Sequence, residues 1–372
     1  MSIPFDYTTA ARRFWARAPM LAFLSIQITF WTSASLLLGI IMHLQALQIS
    51  EVVHMPELSR LKPILIIAVI FGGLYGIIFG VADYYLGKQY FSNISTGRVL
   101  IFSTIISFGV LVVLLAFLRL ILVDLLMPGY MEAYPVNNTS WHYFLAIVVI
   151  YFFFMTLVIN FINQVNKKYG RGVLLPLILG KYRQPREEER IFMFMDLKSS
   201  TTLAERLGHL KYSAFIRDSF IDINSVVTSY DADIYQYVSD EIVLSWRMRH
   251  GINNATCIRF YFACRDQFQR RSSYYEEHYG ILPHFKAGVH GGIVTAVEVG
   301  NIKKDIAYHG DVLNTTARIQ GLCNEYKQQI IISNFLIEKI ELPINLESKV
   351  LGKVALQGKD DLVDISGISE KI

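Results

Sequence analysis

The sequence predicts an α-helical membrane domain of about four transmembrane helices, followed by an α+β domain with a ferredoxin-like order of elements. Two observations carry that prediction. Residues 20–165 are apolar with few charges, whereas 181–372 have an ordinary globular mixture. The second stretch also reads as short β-rich runs alternating with helical segments, in the order β-α-β-β-α-β.

At 372 residues the chain is long enough for two domains. Its mean hydropathy of +0.36 and hydrophobic fraction of 53% are high for a soluble protein. The net charge of +4 is too small to argue for nucleic acid, and no basic stripe with interleaved aromatics occurs. No nucleic-acid partner is therefore expected. Cys257, Cys264 and Cys323 match neither a zinc site nor a disulfide framework, and are read as reduced thiols, buried or neutral.

A bilayer span takes about 20 mostly apolar residues. Four segments qualify: 20–47, 63–82, 98–126 and 141–165. Arg12, Arg13 and Arg17 precede the first, but its apolar run is too long for a signal peptide, so it reads as a retained span. Lys88 and Arg98 mark the 83–98 loop as inside. Lys167, Lys168, Arg171, Lys181 and Arg183 do the same after the fourth span, whereas 127–140 holds no Lys or Arg. The expected placement is multi-pass in the cell (inner) membrane, with residues 1–19 and the globular domain cytoplasmic. Gly72, Gly73, Gly76 and Gly80 make a small-residue face suited to close helix packing. Arg119 and Asp124 are read as reaching the interface at the end of the third segment. Residues 166–190 are a linker, broken by Pro185. The globular domain is expected at 191–372.

Residues 191–195 (Ile-Phe-Met-Phe-Met) form the continuous apolar run of a buried strand, and Asp196 ends it. Leu-Lys-Ser-Ser-Thr-Thr then turns into a helix, with Ser and Thr suited to capping. An Asp thus lies beside a helix N-terminus, where free N–H groups hold phosphate. A helix is expected at 212–226. Residues 232–246 are two β-rich runs around Ser239-Asp240-Glu241, a hairpin with Asp240 at its tip. A helix at 253–277, strands at 284–290 and 293–299, a helix at 311–324 and a strand at 328–332 complete the domain. Two aspartates at the ends of adjacent strands suit Mg²⁺, which takes hard oxygen ligands, commonly one or two carboxylates plus substrate phosphates.

Three motifs resemble class III adenylyl and guanylyl cyclases, in particular the membrane-anchored bacterial type. Ile191-Phe-Met-Phe-Met-Asp196-Leu-Lys-Ser-Ser-Thr201 resembles their first metal-binding strand and turn. Tyr235-Gln-Tyr-Val-Ser-Asp240-Glu resembles the second metal-binding hairpin, and His309-Gly-Asp-Val-Leu-Asn314-Thr-Thr-Ala-Arg318 the Gly-x-x-Val-Asn-x-x-x-Arg helix. They occur in the family's order.

The resemblance implies a membrane-bound adenylate cyclase that makes 3′,5′-cyclic AMP and pyrophosphate from ATP. Asp196 and Asp240, with the Leu197 carbonyl, would bind two Mg²⁺ or Mn²⁺ ions per site. Backbone N–H groups of Lys198, Ser199, Ser200 and Thr201 would cradle phosphates. Asn314 would orient the ribose. Arg318, on the same helix face, would stabilise charge on the α-phosphate. Lys359, in Gln357-Gly-Lys359, would bind phosphate. The family's site lies between two protomers, so a homodimer is implied, with the aspartates from one copy and Asn314 and Arg318 from the other. The partners implied are ATP or GTP, a second copy and the lipid bilayer. Three positions depart from the pattern. Gln236 stands where adenylyl cyclases commonly carry Lys, and Ala307 where they often carry Asp or Thr. Ser239 replaces the Gly before Asp240. The alternatives are a guanylate cyclase and a non-catalytic nucleotide-binding or dimerisation module.

Overall fold

Long apolar runs become long helices because a helix satisfies its own backbone polar groups, which lipid cannot. The computed structural model describes residues 19–53, 61–89, 96–117, 138–169, 180–301, 304–355 and 362–371. It divides into two compact units, Ala18–Leu174 and Leu175–Ile372. The first holds α1 (Pro19–Val53), α2 (Leu61–Gln89), α3 (Thr96–Phe117) and α4 (Asn138–Tyr169). Among the described residues, three stretches are long and apolar enough to cross a membrane: Met20–Val52, Leu61–Tyr85 and His142–Asn163. The apolar part described within α3, Thr104–Ala116, is shorter. Arg119 and Asp124 lie outside the described residues.

The small-residue face of α2 lies against α1. A Cβ on Gly72 would come within 2.7 Å of the Trp31 carbonyl oxygen, and one on Gly76 within 2.7 Å of the Ile28 Cα. Gly80 meets Leu24 and Gln27, whereas Gly73 meets nothing and stands off the contact. Spacing by four, not the whole glycine cluster, sets the interface. Trp31 is buried among Tyr75, Phe79 and Phe152. The Tyr75 hydroxyl bonds to Ser107, whose Oγ lies 3.0 Å from Thr156 Oγ1, joining α2, α3 and α4.

The second unit is an α+β domain, so the fold class read from the sequence is the one observed. Its elements are β1 (Arg186–Leu197), α5 (Ser200–Leu207), α6 (His209–Val227), β2 (Asp233–Val238), β3 (Glu241–Arg247), α7 (Thr256–Arg270), α8 (Ser272–Tyr279), β4 (Phe285–Val299), β5 (Asp305–His309), α9 (Asp311–Gly321), β6 (Ile330–Ser333), β7 (Leu346–Ala355) and β8 (Leu362–Glu370). The strands form one sheet in the order β2-β3-β1-β4-β6-β8-β7, with β5 on β4. The β4–β6 pair is parallel and the other pairs are antiparallel. The expected β-α-β-β-α-β core is β1 to β4, and its order β2-β3-β1-β4 is that of the ferredoxin-like arrangement.

Both faces of β1 are covered, which is why its sequence shows no alternation. Ile191, Met193 and Met195 face the core built with α6 and α7, and Phe192 joins Val243, Val294 and Val312 under α9. Tight contact with α9 depends on Gly288, where a Cβ would sit 2.3 Å from the Gln320 backbone nitrogen. The three cysteines are free and buried.

Several element boundaries differ from the expectation. Phe285–Val299 forms one strand, because Gly291 and Gly292 are packing positions and not a turn. A Cβ at Gly291 would meet Met248, and one at Gly292 would meet Val312, both at 2.9 Å. The 253–277 helix is two, because Arg271 leaves helical geometry at φ −105°, ψ 19°. The first helix of the domain begins at Ser200 and ends at Gly208, whose φ of 73° interrupts it before α6. β5, β7 and β8 had no strand reading.

Candidate active site

The pairing of β1 brings three charged residues level at the sheet's end. Asp196 pairs with Glu241 of β3 on one side and Lys286 of β4 on the other. Asp240 sits in the β2–β3 turn, and its carbonyl accepts the Leu197 N–H at 3.4 Å. The two aspartates expected to work together are thus neighbours. Burial, then the charge of Asp240, pushes the Asp196 carboxyl above its ordinary range, against the pull of Lys286 and Gln320. Burial, then Asp196 and Asp240, pushes Glu241 up to about 7. Asp196, Asp240 and Glu241 crowd one another against a single nearby cation, Lys286, and carboxylates are the hard ligands Mg²⁺ takes. Among the described residues no group of three or more His, Cys, Asp or Glu is arranged to hold a metal.

Asp196 Oδ2 is met by the Gln320 amide at 3.3 Å and the Lys286 ammonium at 3.8 Å. Sequence reasoning missed both. Lys286 left a signal, a single cation inside the apolar run 285–289, and its side chain is 11% exposed. Gln320 left none, since only the packing of α9 on Gly288 carries it to Asp196.

The turn after β1 departs from the expectation at one point. The Lys198 N–H is donated to the His284 carbonyl at 2.8 Å and is not free for phosphate. Ser199 is left-handed at φ 57° and makes no side-chain cap, so the first-turn amides of α5, at Ser200 and Thr201, have no side-chain cap.

Ser239 also adopts the left-handed region, at φ 56°. A glycine has no strain there but loses more backbone entropy on folding. Ser239→Gly is therefore expected to raise stability by about 1 kcal/mol, read as a higher thermal midpoint. A lower midpoint would mean that the serine side chain contributes more than the strain costs.

Asn314 is exposed on α9 and Arg318 half-buried, with its Nη1 buried and lacking a hydrogen-bond partner among the described residues. At 100° per residue, Arg318 points about 160° away from Gln320. The face of α9 that reaches Asp196 in this chain is therefore not the face bearing Arg318. Lys359 lies outside the described residues.

Gln236 is exposed on β2 and pairs with Val243, while Ala307 pairs with Val297 on β4. Strand alternation puts Tyr308, not Ala307, on the face shared by Gln236 and α9. Tyr308 packs against Tyr235 and Phe192, and the Tyr235 hydroxyl accepts the Tyr308 N–H at 3.4 Å. Beside them, buried Arg190 bonds Glu188 at 2.8 Å and Asp233 at 3.3 Å and lies 4.7 Å from the Tyr308 ring.

The α+β domain thus sets paired carboxylates at one sheet end, beside a helix N-terminus without a side-chain cap. The resemblance to class III nucleotide cyclases is borne out by relatives that carry the adenylate cyclase name. Adenylate cyclase 2 of Rhizobium meliloti (strain 1021) is 36% identical over 201 residues, 54% of this chain and 55% of that protein. An adenylate cyclase of Anabaena cylindrica is 23% identical over 181 residues, 46% of this chain and 35% of that protein. The chain thus spans about half the length of the first and about a third of the second. No family model matches. Among solved structures, a bacterial light-regulated adenylyl cyclase shares 17% identity at a TM-score of 0.49, covering 58% of this chain and 65% of its own.

Proposed function

We propose that this chain is a membrane-anchored adenylate cyclase that converts ATP to 3′,5′-cyclic AMP and pyrophosphate in a homodimeric site. The observation that carries the reading is the meeting of Asp196 and Asp240 at one sheet end, with Asp196 raised by burial and by its neighbour's charge. Identity to proteins named adenylate cyclase supports it.

Asp196, Asp240 and the Leu197 carbonyl would hold two Mg²⁺ or Mn²⁺ ions, which when bound lower the pKa of the 3′-hydroxyl and screen the triphosphate. The first-turn amides of α5 receive the β- and γ-phosphates. The ribose 3′-oxygen attacks the α-phosphorus, its proton passes to water, and the bond to the β-phosphate oxygen breaks to release pyrophosphate. Arg318 of a second copy supplies positive charge at the α-phosphate, and Asn314 beside it holds the ribose. The turn of Arg318 away from this chain's own Asp196, which Gln320 reaches instead, supports a site shared between copies. The three long apolar helices support a multi-pass anchor, in the inner membrane with the catalytic domain on the cytoplasmic side. The domain limits 20–165, 166–190 and 191–372 belong to the same proposal.

The test is product formation by the full chain from ATP and from GTP, each with Mg²⁺ or Mn²⁺. Cyclic AMP is expected as the main product. Gln236→Lys is expected to raise the ATP preference in kcat/KM by about tenfold, the size of one hydrogen bond in a base pocket. Cyclic GMP as the main product would move the reading to a guanylate cyclase. Nucleotide binding without product from either would move it to a non-catalytic module.

A further inference from the structure

The second unit contains a cavity of about 740 Å³ between α7, the end of β1 and the loops leading into β4 and β6. That volume lies in the range of small-molecule sites. Its wall includes Tyr261, Phe268 and Leu282, and amides of Asn324, Gln328 and Gln329 line it as well. Four Lys and Arg side chains line it, Lys198, Arg265, Lys286 and Lys327, together with His284, and Asp266 is the one acidic residue.

Two of the four cations are already matched. Arg265 bonds Glu370 at 2.8 Å and Asp266 at 3.3 Å. Lys286 lies 3.8 Å from Asp196 and donates to Asn324 at 3.0 Å. Lys198 and Lys327 make no ion pair among the described residues, which leaves two positive charges on the rim. A second feature falls at the same place. Lys327 is held at φ 51°, where a lysine is strained and Gly or Asn is favoured. The turn is fixed by the Lys327 N–H to Asn324 carbonyl bond at 3.2 Å and the Gln328 N–H to Cys323 carbonyl bond at 2.9 Å. Strain of this kind concentrates at binding sites.

We propose that this cavity binds a small organic anion carrying two carboxylates. Two charges match the two unmatched lysines, the amides receive the remaining carboxylate oxygens, and the apolar wall takes the carbon body. A monocarboxylate leaves one lysine unmatched. Inorganic phosphate has the charge but no body to cover Tyr261 and Leu282. The site is separate from the aspartate pair, although Lys286 touches both.

The experiment is isothermal titration calorimetry of succinate into the full chain in lipid nanodiscs, at physiological salt, with no nucleotide or divalent metal present. Saturable binding of one succinate per chain is expected, with butyrate and inorganic phosphate each weaker by about tenfold or more, one lost charge pair or the lost apolar contact. Lys327→Gly relieves the strained position, so its thermal midpoint should not fall, yet it should weaken succinate by about tenfold. Leu282→Trp, which narrows the cavity without touching that turn, should also weaken it. Asp240→Asn should leave it unchanged, whether or not the chain is a cyclase. No saturation by about 10 mM succinate, equal binding of butyrate or phosphate, or wild-type affinity in both Lys327→Gly and Leu282→Trp would overturn the proposal. So would loss of binding in Asp240→Asn, which would place the anion at the aspartate pair.

Discussion

Asp196→Asn is expected to lower cyclic nucleotide formation by at least about 10³-fold, equivalent to about 4 kcal/mol of transition-state stabilisation. The substitution keeps the side chain's shape and removes its charge. Two effects follow with opposite signs. The expected metal site loses an anionic ligand, so Mn²⁺ binding followed by electron paramagnetic resonance should weaken together with turnover. The fold loses a strain, because the Asp196 carboxyl is raised by burial and by Asp240 when no cation is bound. The metal-free thermal midpoint of the variant should therefore equal or exceed the parent's. Only a catalytic and metal-binding role combines lost turnover, weaker Mn²⁺ and an undiminished midpoint. Turnover within tenfold of the parent would remove Asp196 from the site.

Arg318→Ala is the second large effect. Arg318 is half-buried, and Nη1 of its guanidinium has no hydrogen-bond partner among the described residues. If that nitrogen meets charge developing on the α-phosphate in a second copy, kcat should fall by about 10²–10³-fold while KM moves by only a few fold. A rise in KM with kcat intact would make Arg318 a ground-state contact instead. The two variants also test the shared site. Mixed in equal amounts, Asp196→Asn and Arg318→Ala chains give heterodimers with one site carrying both changes and one carrying neither. About a quarter of parental activity should return on mixing, because half the dimers are mixed and half their sites intact. No recovery from chains shown to exchange would mean that each site is built from one copy.

The carboxylate pair was legible in the sequence because both members sit at strand ends that local pattern marks well. An apolar run stops at Asp196, and a hairpin turns at Asp240. The left-handed backbone at Ser239 came from the structure, where the sequence showed only a Ser in place of Gly. Lys286 and Gln320 were not legible, because their nearness to Asp196 comes from strand register and from helix packing across 124 residues of chain. Which face Tyr308 takes is decided by register alone. One residue of offset moves a side chain to the other face of the sheet, and only the pairing with Ala296 reveals which face it takes.

By itself the sequence determined the apolar and globular halves, the α+β class, the aspartate pair and the resemblance to nucleotide cyclases. Each depends on residues near one another in the chain, where hydropathy, turn chemistry and period act directly. The tertiary structure alone decided that Gly291 and Gly292 are packing sites within one strand, that the Lys198 amide is spent on His284, and that Arg318 faces away from this chain's own Asp196. It also decided that two lysines around a cavity have no anionic partner among the described residues. These depend on which distant segments share space, and packing and sheet register settle that, not local propensity.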